Sequence, residues 1–179
     1  GDVDRYTADE LQQFDAGSWF APRFTGERIP PLRRVLEELP MRIGINIEVK
    51  ADGDRRSKAL LVHHLCSVIH AYGKHRSLFV SSFDHRFLRV LHRLDPLVPL
   101  GVLLHPLRDV ARRPSHLARR LHAGFIFCSR TMVRRAIVEQ AHAHGVKVGV
   151  YTVNRVIDLD RQRRFGVDLV FTNFPSAIR

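Results

Sequence analysis

The chain of 179 residues lacks several features that would fix a function class at once. It has 2 cysteines, Cys66 and Cys128, each inside an apolar run and neither in a CxxC pair. That excludes a disulfide framework and a cysteine-based zinc ribbon, and leaves two core thiols. No apolar run approaches the roughly 18 residues of a membrane helix. Neither GxGxxG nor GxxxxGK[ST] follows any predicted strand, so a nucleotide-type phosphate loop is unsupported. The 11 histidines include no HExxH pair, and neighbours such as His63-His64 do not share a helix face. Solvated or capping histidines are expected ahead of a zinc site. The two lone thiols suggest a reducing, cytoplasmic setting, with any export signal expected in the missing N-terminal segment.

Lysine is scarce too. The chain holds 4 lysines but 25 arginines, and 29 basic residues against 18 acidic ones give a net charge of +11. A nucleic-acid binder can show this balance. Here the basic pairs (Arg33-Arg34, Arg119-Arg120, Arg163-Arg164 and others) are scattered, and most fall in segments that read as helices. None is interleaved with aromatics as a single-strand binder requires. The expectation is arginine on solvated helix faces and no nucleic-acid partner.

What is present is a rhythm. Short apolar, β-branched runs recur at residues 43–49, 78–81, 100–103, 125–128, 147–151 and 168–171. They do not alternate with polar residues, as expected of strands buried on both faces of a parallel sheet. Amphipathic segments lie between them at 57–72, 84–94, 131–144 and 155–165. The last two end at Gly145 and Gly166, natural helix stops. The strand starts are on average 25 residues apart. Six consecutive β/α units of that length predict a TIM-type (β/α)8 barrel, with a doubly wound sheet as the alternative. A whole barrel takes about 250 residues, so the chain reads as roughly the last six strands with the first two missing. Upstream of residue 40 there is a capping box at Thr7 and Glu10, a loop rich in Gly, Pro and aromatics, and a helix beginning near Pro31.

Barrel enzymes keep their reacting groups at the C-terminal strand ends. The first strand here ends Asn46-Ile47-Glu48-Val49-Lys50. Glu48 and Lys50 are two apart and so share a strand face. The bland reading is an ion pair at the rim, and ligand binding is the favoured one. Glu48 is the one carboxylate clearly inside a strand end, whereas Mg²⁺ or Ca²⁺ usually takes several oxygens. The other strand ends offer Ser82, Asp84, His85, His105, Asn154 and Asn173, with capping favoured for Ser82 and Asp84.

Several segments together resemble the glycerophosphodiester phosphodiesterase family. They are Phe14-Asp15-Ala16-Gly17-Ser18-Trp19-Phe20, Asn46-Ile47-Glu48-Val49-Lys50, Ser81-Ser82-Phe83-Asp84, Leu100-Gly101-Val102-Leu103, Tyr151-Thr152-Val153-Asn154, and Gly166-Val167-Asp168-Leu169 with Thr172-Asn173-Phe174-Pro175. The resemblance runs in order along essentially the whole chain. It implies a single partial barrel domain over 1–179, with residues 1–30 as the end of a small insertion and 31–179 as barrel units. It also implies hydrolysis of a glycerophosphodiester to sn-glycerol 3-phosphate and an alcohol, as in lipid metabolism, with a divalent cation, Mg²⁺ or Ca²⁺. By the same likeness Glu48 is a metal ligand and Lys50 contacts the substrate phosphate. Phe83 and Tyr151 are possible pocket-lining residues. Trp19 and Phe20 are expected in ordinary core packing.

The family's catalytic histidines lie in His-Arg-Gly and His-Asp motifs, which do not occur in these 179 residues. No catalytic residue is therefore assigned in this chain, and the chain alone is expected to turn over nothing measurable. Smaller departures are Tyr151 where Trp is usual and Asn173 where Asp is usual. The expected partner is a small glycerophosphodiester. The alternative is a non-catalytic barrel-like binding module.

Overall fold

The structure, a computed structural model, describes residues 3–51, 54–72, 77–109 and 113–178. The chain divides into two compact units, Gly1–Ile43 with Ser67–Arg76, and Gly44–Cys66 with Ser77–Arg179.

In the first unit, Thr7 caps α1 (Ala8–Leu11), accepting from the Glu10 N–H while Glu10 takes the Thr7 N–H at 2.7 Å. The predicted capping box is thus in place. The loop that follows is organised by Asp15. Its carboxylate accepts from the N–H groups of Gly17, Ser18 and Gly26 at 2.7–2.8 Å. Helix α2 (Leu32–Glu38) follows Pro31, which sits at the N-cap. One expectation fails in this unit. Trp19 is 80% exposed and Phe20 38%. Trp19 lies in the loop, with its indole N–H on the Ala16 carbonyl and its ring edge-on to Phe20. A partner for the indole within the loop removes the need to bury it in a core.

The second unit is built on one parallel sheet. Its elements, in chain order, are β1 (Ile45–Glu48), α3 (Arg55–Tyr72, shared with the first unit), β2 (Leu78–Ser82), α4 (His85–Leu94), β3 (Leu100–Leu103), α5 (Pro114–Arg120), β4 (Phe125–Ser129), α6 (Arg135–His142), β5 (Lys147–Tyr151), α7 (Val156–Phe165) and β6 (Leu169–Val170). The strand order is β1-β2-β3-β4-β5-β6, every neighbour parallel. The six strands curl into a half-barrel. Sequential order is barrel winding; a doubly wound sheet reverses its order partway.

Register assigns the two faces. Asn46, Glu48, Phe79, Ser81, Gly101, Phe125, Phe127, Gly149 and Tyr151 share one face, because their partners align across successive strands. The other face carries Val80, Val102, Ile126, Val148 and Val150, all fully buried, and packs beneath the helices. On the first face, Phe127 sits between two glycines. A Cβ on Gly101 would come within 2.3 Å of its ring, and one on Gly149 within 2.5 Å. Neither position can carry a side chain without displacing the ring. Phe79 and Phe125 stack beside it at 4.6 Å between centroids, and Phe171 meets Phe127 edge-on. This aromatic layer floors the strand ends where Glu48 and Tyr151 stand.

The helices bury the stripes that their spacing predicts. Asp84 caps α4, which sinks Phe87, Leu88 and Leu91. Gly166 ends α7 at φ 79°, a left-handed cap that glycine adopts without penalty. Two segments differ. The helix expected over 131–144 covers only Arg135–His142, because Arg134 is extended and a turn carries Ser129 to Val133. Helix α5 has no counterpart in the sequence reading. Its seven residues, Pro114–Arg120, hold only Leu117 and Ala118 as apolar signal beyond the N-terminal proline. Both cysteines are buried, and burial pushes the Cys128 thiol up to about 12. They are core thiols. No helix among the described residues is long and apolar enough to cross a membrane.

Candidate active site

Strand β1 ends at Glu48, and Lys50 follows it beyond the buried Val49. Both charged side chains are exposed, so neither bears the desolvation cost of an acid or base inside an apolar strand. Among the described residues, no ion pair and no side-chain hydrogen bond holds either one. The rim ion pair is therefore not formed. Instead, Glu48 and Lys50 stand on the wall of a cleft of about 710 Å³, shared with Lys58 from α3, Phe83 and Asp84 after β2, and Arg108 after β3. That volume falls in the usual range for a small-ligand site.

Asp84 holds the cleft together. One carboxylate oxygen accepts from the Arg86 and Phe87 N–H groups at 2.8 and 3.0 Å; the other takes the Lys58 ammonium at 2.5 Å. Burial raises the Asp84 carboxyl, but Lys58 and the two N–H donors outweigh it and hold the group below its ordinary value. Beneath it, the fully buried Ser82 hydroxyl donates to the Val49 carbonyl at 2.6 Å and accepts from the Asp84 N–H. This pins the loop after β2 to the loop after β1. Ser81 ties the same strands from the other face, donating to the Asn46 side chain at 2.9 Å.

The two histidines at these strand ends are anchored by backbone. His85 Nε2 lies 3.0 Å from the Leu103 carbonyl. A carbonyl only accepts, so Nε2 carries the proton and Nδ1 remains open. His105 Nδ1 accepts from the Leu107 and Arg108 N–H groups, so its proton is on Nε2. Of the two, His85 lines the cleft.

The pocket residues separate. Phe83 lines the cleft with Glu48 and Lys50, whereas Tyr151 lines a second hollow of about 460 Å³ with Ser129, Arg130 and Asp158. The two rings touch edge-on at 6.0 Å. Tyr151 donates to the Leu104 carbonyl at 2.5 Å. Burial pushes its phenol up to about 12, with the charges of Cys128, Asp109 and Glu48 adding to the effect. The peptide bond from Tyr151 to Thr152 is cis.

Lys58, Arg86, Arg89 and Arg108 line the cleft and were not singled out in the sequence. For Lys58 a signal existed: in a chain with 4 lysines, two converge here. The arginines carried none, because 25 of them are spread along the chain.

The donor set bears on a divalent cation. Such an ion takes six or more oxygens, commonly from more than one carboxylate. Glu48 is open, but both oxygens of Asp84 are engaged. No group of three His, Cys, Asp or Glu gathers anywhere among the described residues. These residues do not by themselves make a cation site.

The sequence profile of the glycerophosphoryl diester phosphodiesterase family matches residues 1–177. The chain belongs to this family. A glycerophosphodiester phosphodiesterase of Caldanaerobacter subterraneus is 30% identical over 184 residues, covering 99% of this chain and 72% of that protein. A solved Oleispira antarctica phosphodiesterase, in complex with the product sn-glycerol-3-phosphate, matches with a TM-score of 0.86 at 23% identity, over 99% of this chain and 71% of that one. The glycerophosphodiester phosphodiesterase of Agrobacterium tumefaciens matches at 0.76 and 26% identity, over 97% and 71%. Phosphoric diester hydrolysis is the chemistry of the family. The half-barrel described above matches the barrels of these glycerophosphodiester phosphodiesterases.

Proposed function

We propose that the cleft at the C-terminal end of β1 binds a glycerophosphodiester and that Lys50 neutralises a non-bridging phosphate oxygen. The observation that carries this reading is the unpartnered pair, Glu48 and Lys50, on the cleft wall of a chain in this family. An ammonium with no protein partner is a point charge ready for phosphate. In the overall reaction, water adds to phosphorus and the bond to the alcohol oxygen breaks. The alcohol leaves with a proton, and sn-glycerol 3-phosphate remains. The described residues supply binding charge but no pair of free histidines to move those protons. His105 is committed to backbone donors through Nδ1, and His85 offers one open nitrogen. In this reading Glu48 would be one carboxylate ligand of Mg²⁺ or Ca²⁺, and alone it does not complete a cation site. In this reading the described residues form the substrate-holding part of a phosphodiesterase site.

Calorimetric titration with sn-glycerol 3-phosphate tests it, alongside a turnover assay with glycerophosphocholine. Binding is expected in the wild-type chain, weakened about tenfold or more in Lys50→Ala, the scale of one charge-assisted hydrogen bond. Measurable turnover by the 179-residue chain is not expected. Equal binding by wild type and Lys50→Ala removes Lys50 from the site, and clear turnover overturns the substrate-holding reading.

A further inference from the structure

The cleft holds more positive charge than a phosphodiester can use. A diester linkage carries a single negative charge. Facing it are five cations: Lys50, Lys58 from α3, Arg86 and Arg89 from α4, and Arg108 after β3. Among the described residues, two carboxylates share the walls, Glu48 and Asp84. Lys58 and Asp84 satisfy each other at 2.5 Å and drop out of the balance. Four cations then face one open carboxylate. None of the guanidinium groups of Arg86, Arg89 and Arg108 has an ion-pair or hydrogen-bond partner among the described residues. Arg86 and Arg89 are three apart on α4 and so project from the same side of the helix. A guanidinium presents a planar fork suited to two oxygens of one phosphate or carboxylate.

Resting on the phosphodiester reading of the cleft, we propose that its preferred substrates carry a second anionic group. A phosphate or carboxylate on the leaving alcohol is held by Arg86, Arg89 and Arg108 while Lys50 meets the diester. Alcohols bearing a quaternary ammonium, such as choline, meet uncompensated like charge at the same place and are disfavoured.

The test is a titration of the wild-type chain with three ligands that differ only in the alcohol: glycerophosphocholine, glycerophosphoglycerol, and glycerophosphoglycerol bearing a terminal phosphate. The terminal phosphate is expected to tighten binding about 10- to 100-fold over glycerophosphoglycerol, the scale of one or two charge-assisted hydrogen bonds. Glycerophosphocholine should bind most weakly. In a double variant, Arg86→Ala with Arg89→Ala, the advantage of the terminal phosphate should shrink by about tenfold. A distal double variant, Arg134→Ala with Arg161→Ala, should leave that advantage unchanged, which separates a local site from attraction by the overall charge of +11.

If glycerophosphoglycerol binds through Lys50 and the terminal phosphate adds nothing, the second-anion site is wrong and the phosphodiester reading stands. An advantage that survives the α4 double variant, or falls equally in the distal one, also overturns it. If none of the three ligands binds, the phosphodiester reading falls and takes this inference with it.

Discussion

Two mouths of the same sheet treat their polar groups in opposite ways. At the ends of β4 and β5 nearly everything is paired within the protein. Asp158 takes Arg155 at 2.8 Å and Arg130 at 3.5 Å. Asn154 accepts from the Asn173 N–H at 3.0 Å, bracing the end of β6, and Ser129 bonds Thr131 at 2.9 Å. The Tyr151 hydroxyl is spent on a backbone carbonyl. At the ends of β1 and β2, Asp84 with Lys58, Ser81 with Asn46, Ser82 and His85 are paired in this way. Glu48, Lys50, Arg86, Arg89 and Arg108 line the cleft with no side-chain partner among the described residues. The framework groups are satisfied in both places, but at the ends of β1 and β2 five charged side chains have no side-chain partner among the described residues. Self-satisfied polar groups stabilise a loop, and unsatisfied ones are available to a ligand.

The largest expected effect tests that contrast directly. Lys50→Glu places a carboxylate against the phosphate and should weaken sn-glycerol 3-phosphate binding about 100-fold by calorimetry, about 2.8 kcal/mol at about 1.4 kcal/mol per decade. The matching reversal at the other mouth, Arg155→Glu, should change affinity less than about twofold, because Arg155 is occupied by Asp158. Comparable losses from both variants would mean that overall charge, and not the β1 mouth, binds the ligand.

Next in size is Asp84, the paired group within the open mouth. Asp84→Asn keeps an N-cap acceptor but cannot ion-pair with Lys58. We expect a loss of about 1 kcal/mol at neutral pH, modest because the pair is partly solvated. The sign with pH follows from the lowered carboxyl. A group with a depressed folded pKa stabilises above its unfolded value, near 4 for Asp, and loses that contribution as pH falls through the lower folded value. The stability gap between wild type and Asp84→Asn should therefore be full at neutral pH and close below about pH 4. Urea melts at neutral and acid pH measure it, and a gap that widens in acid would contradict the pairing.

The sequence carried the scaffold further than the site. The apolar runs located all six strands, to within about two residues at their ends, because each is a short, mostly apolar run bounded by polar helix and turn signals. Gly166 and the box at Thr7 marked their helix ends by chemistry that needs no tertiary context. Helix α5 escaped because its stabilisation comes from packing Ala118 and Ser115 inward, not from a visible stripe. At the site, Glu48 and Lys50 were legible because a charged pair at the end of an apolar strand is unusual. Arg86, Arg89 and Arg108 were not: each looks like any solvated arginine until β2 and β3 bring them to one cleft. Likewise Phe83 and Tyr151 were both legible as aromatics at strand ends, but only the fold separates the wall of the cleft from its neighbour.

The two smallest effects set the mouths side by side. Tyr151→Phe removes the hydrogen bond to Leu104 and should cost about 1 kcal/mol in urea melts, since it leaves a carbonyl without its donor. With the phenol pushed up to about 12, this difference should stay constant across neutral and mildly alkaline pH. Glu48→Gln removes a side chain that bonds to nothing among the described residues and should change stability by less than about 0.5 kcal/mol. Its effect belongs to the ligand. A carboxylate beside a phosphate repels it, so in the absence of divalent cations Glu48→Gln should bind sn-glycerol 3-phosphate slightly more tightly, by up to about threefold at the dielectric of an exposed site. Repeating the titration with Mg²⁺ or Ca²⁺ decides what the carboxylate does. Because the described donors do not complete a cation site, the added ion should leave both affinities unchanged. Tightening in the wild type alone would show that Glu48 recruits the ion after all, and would move this mouth from electrostatic binding to cation-assisted binding.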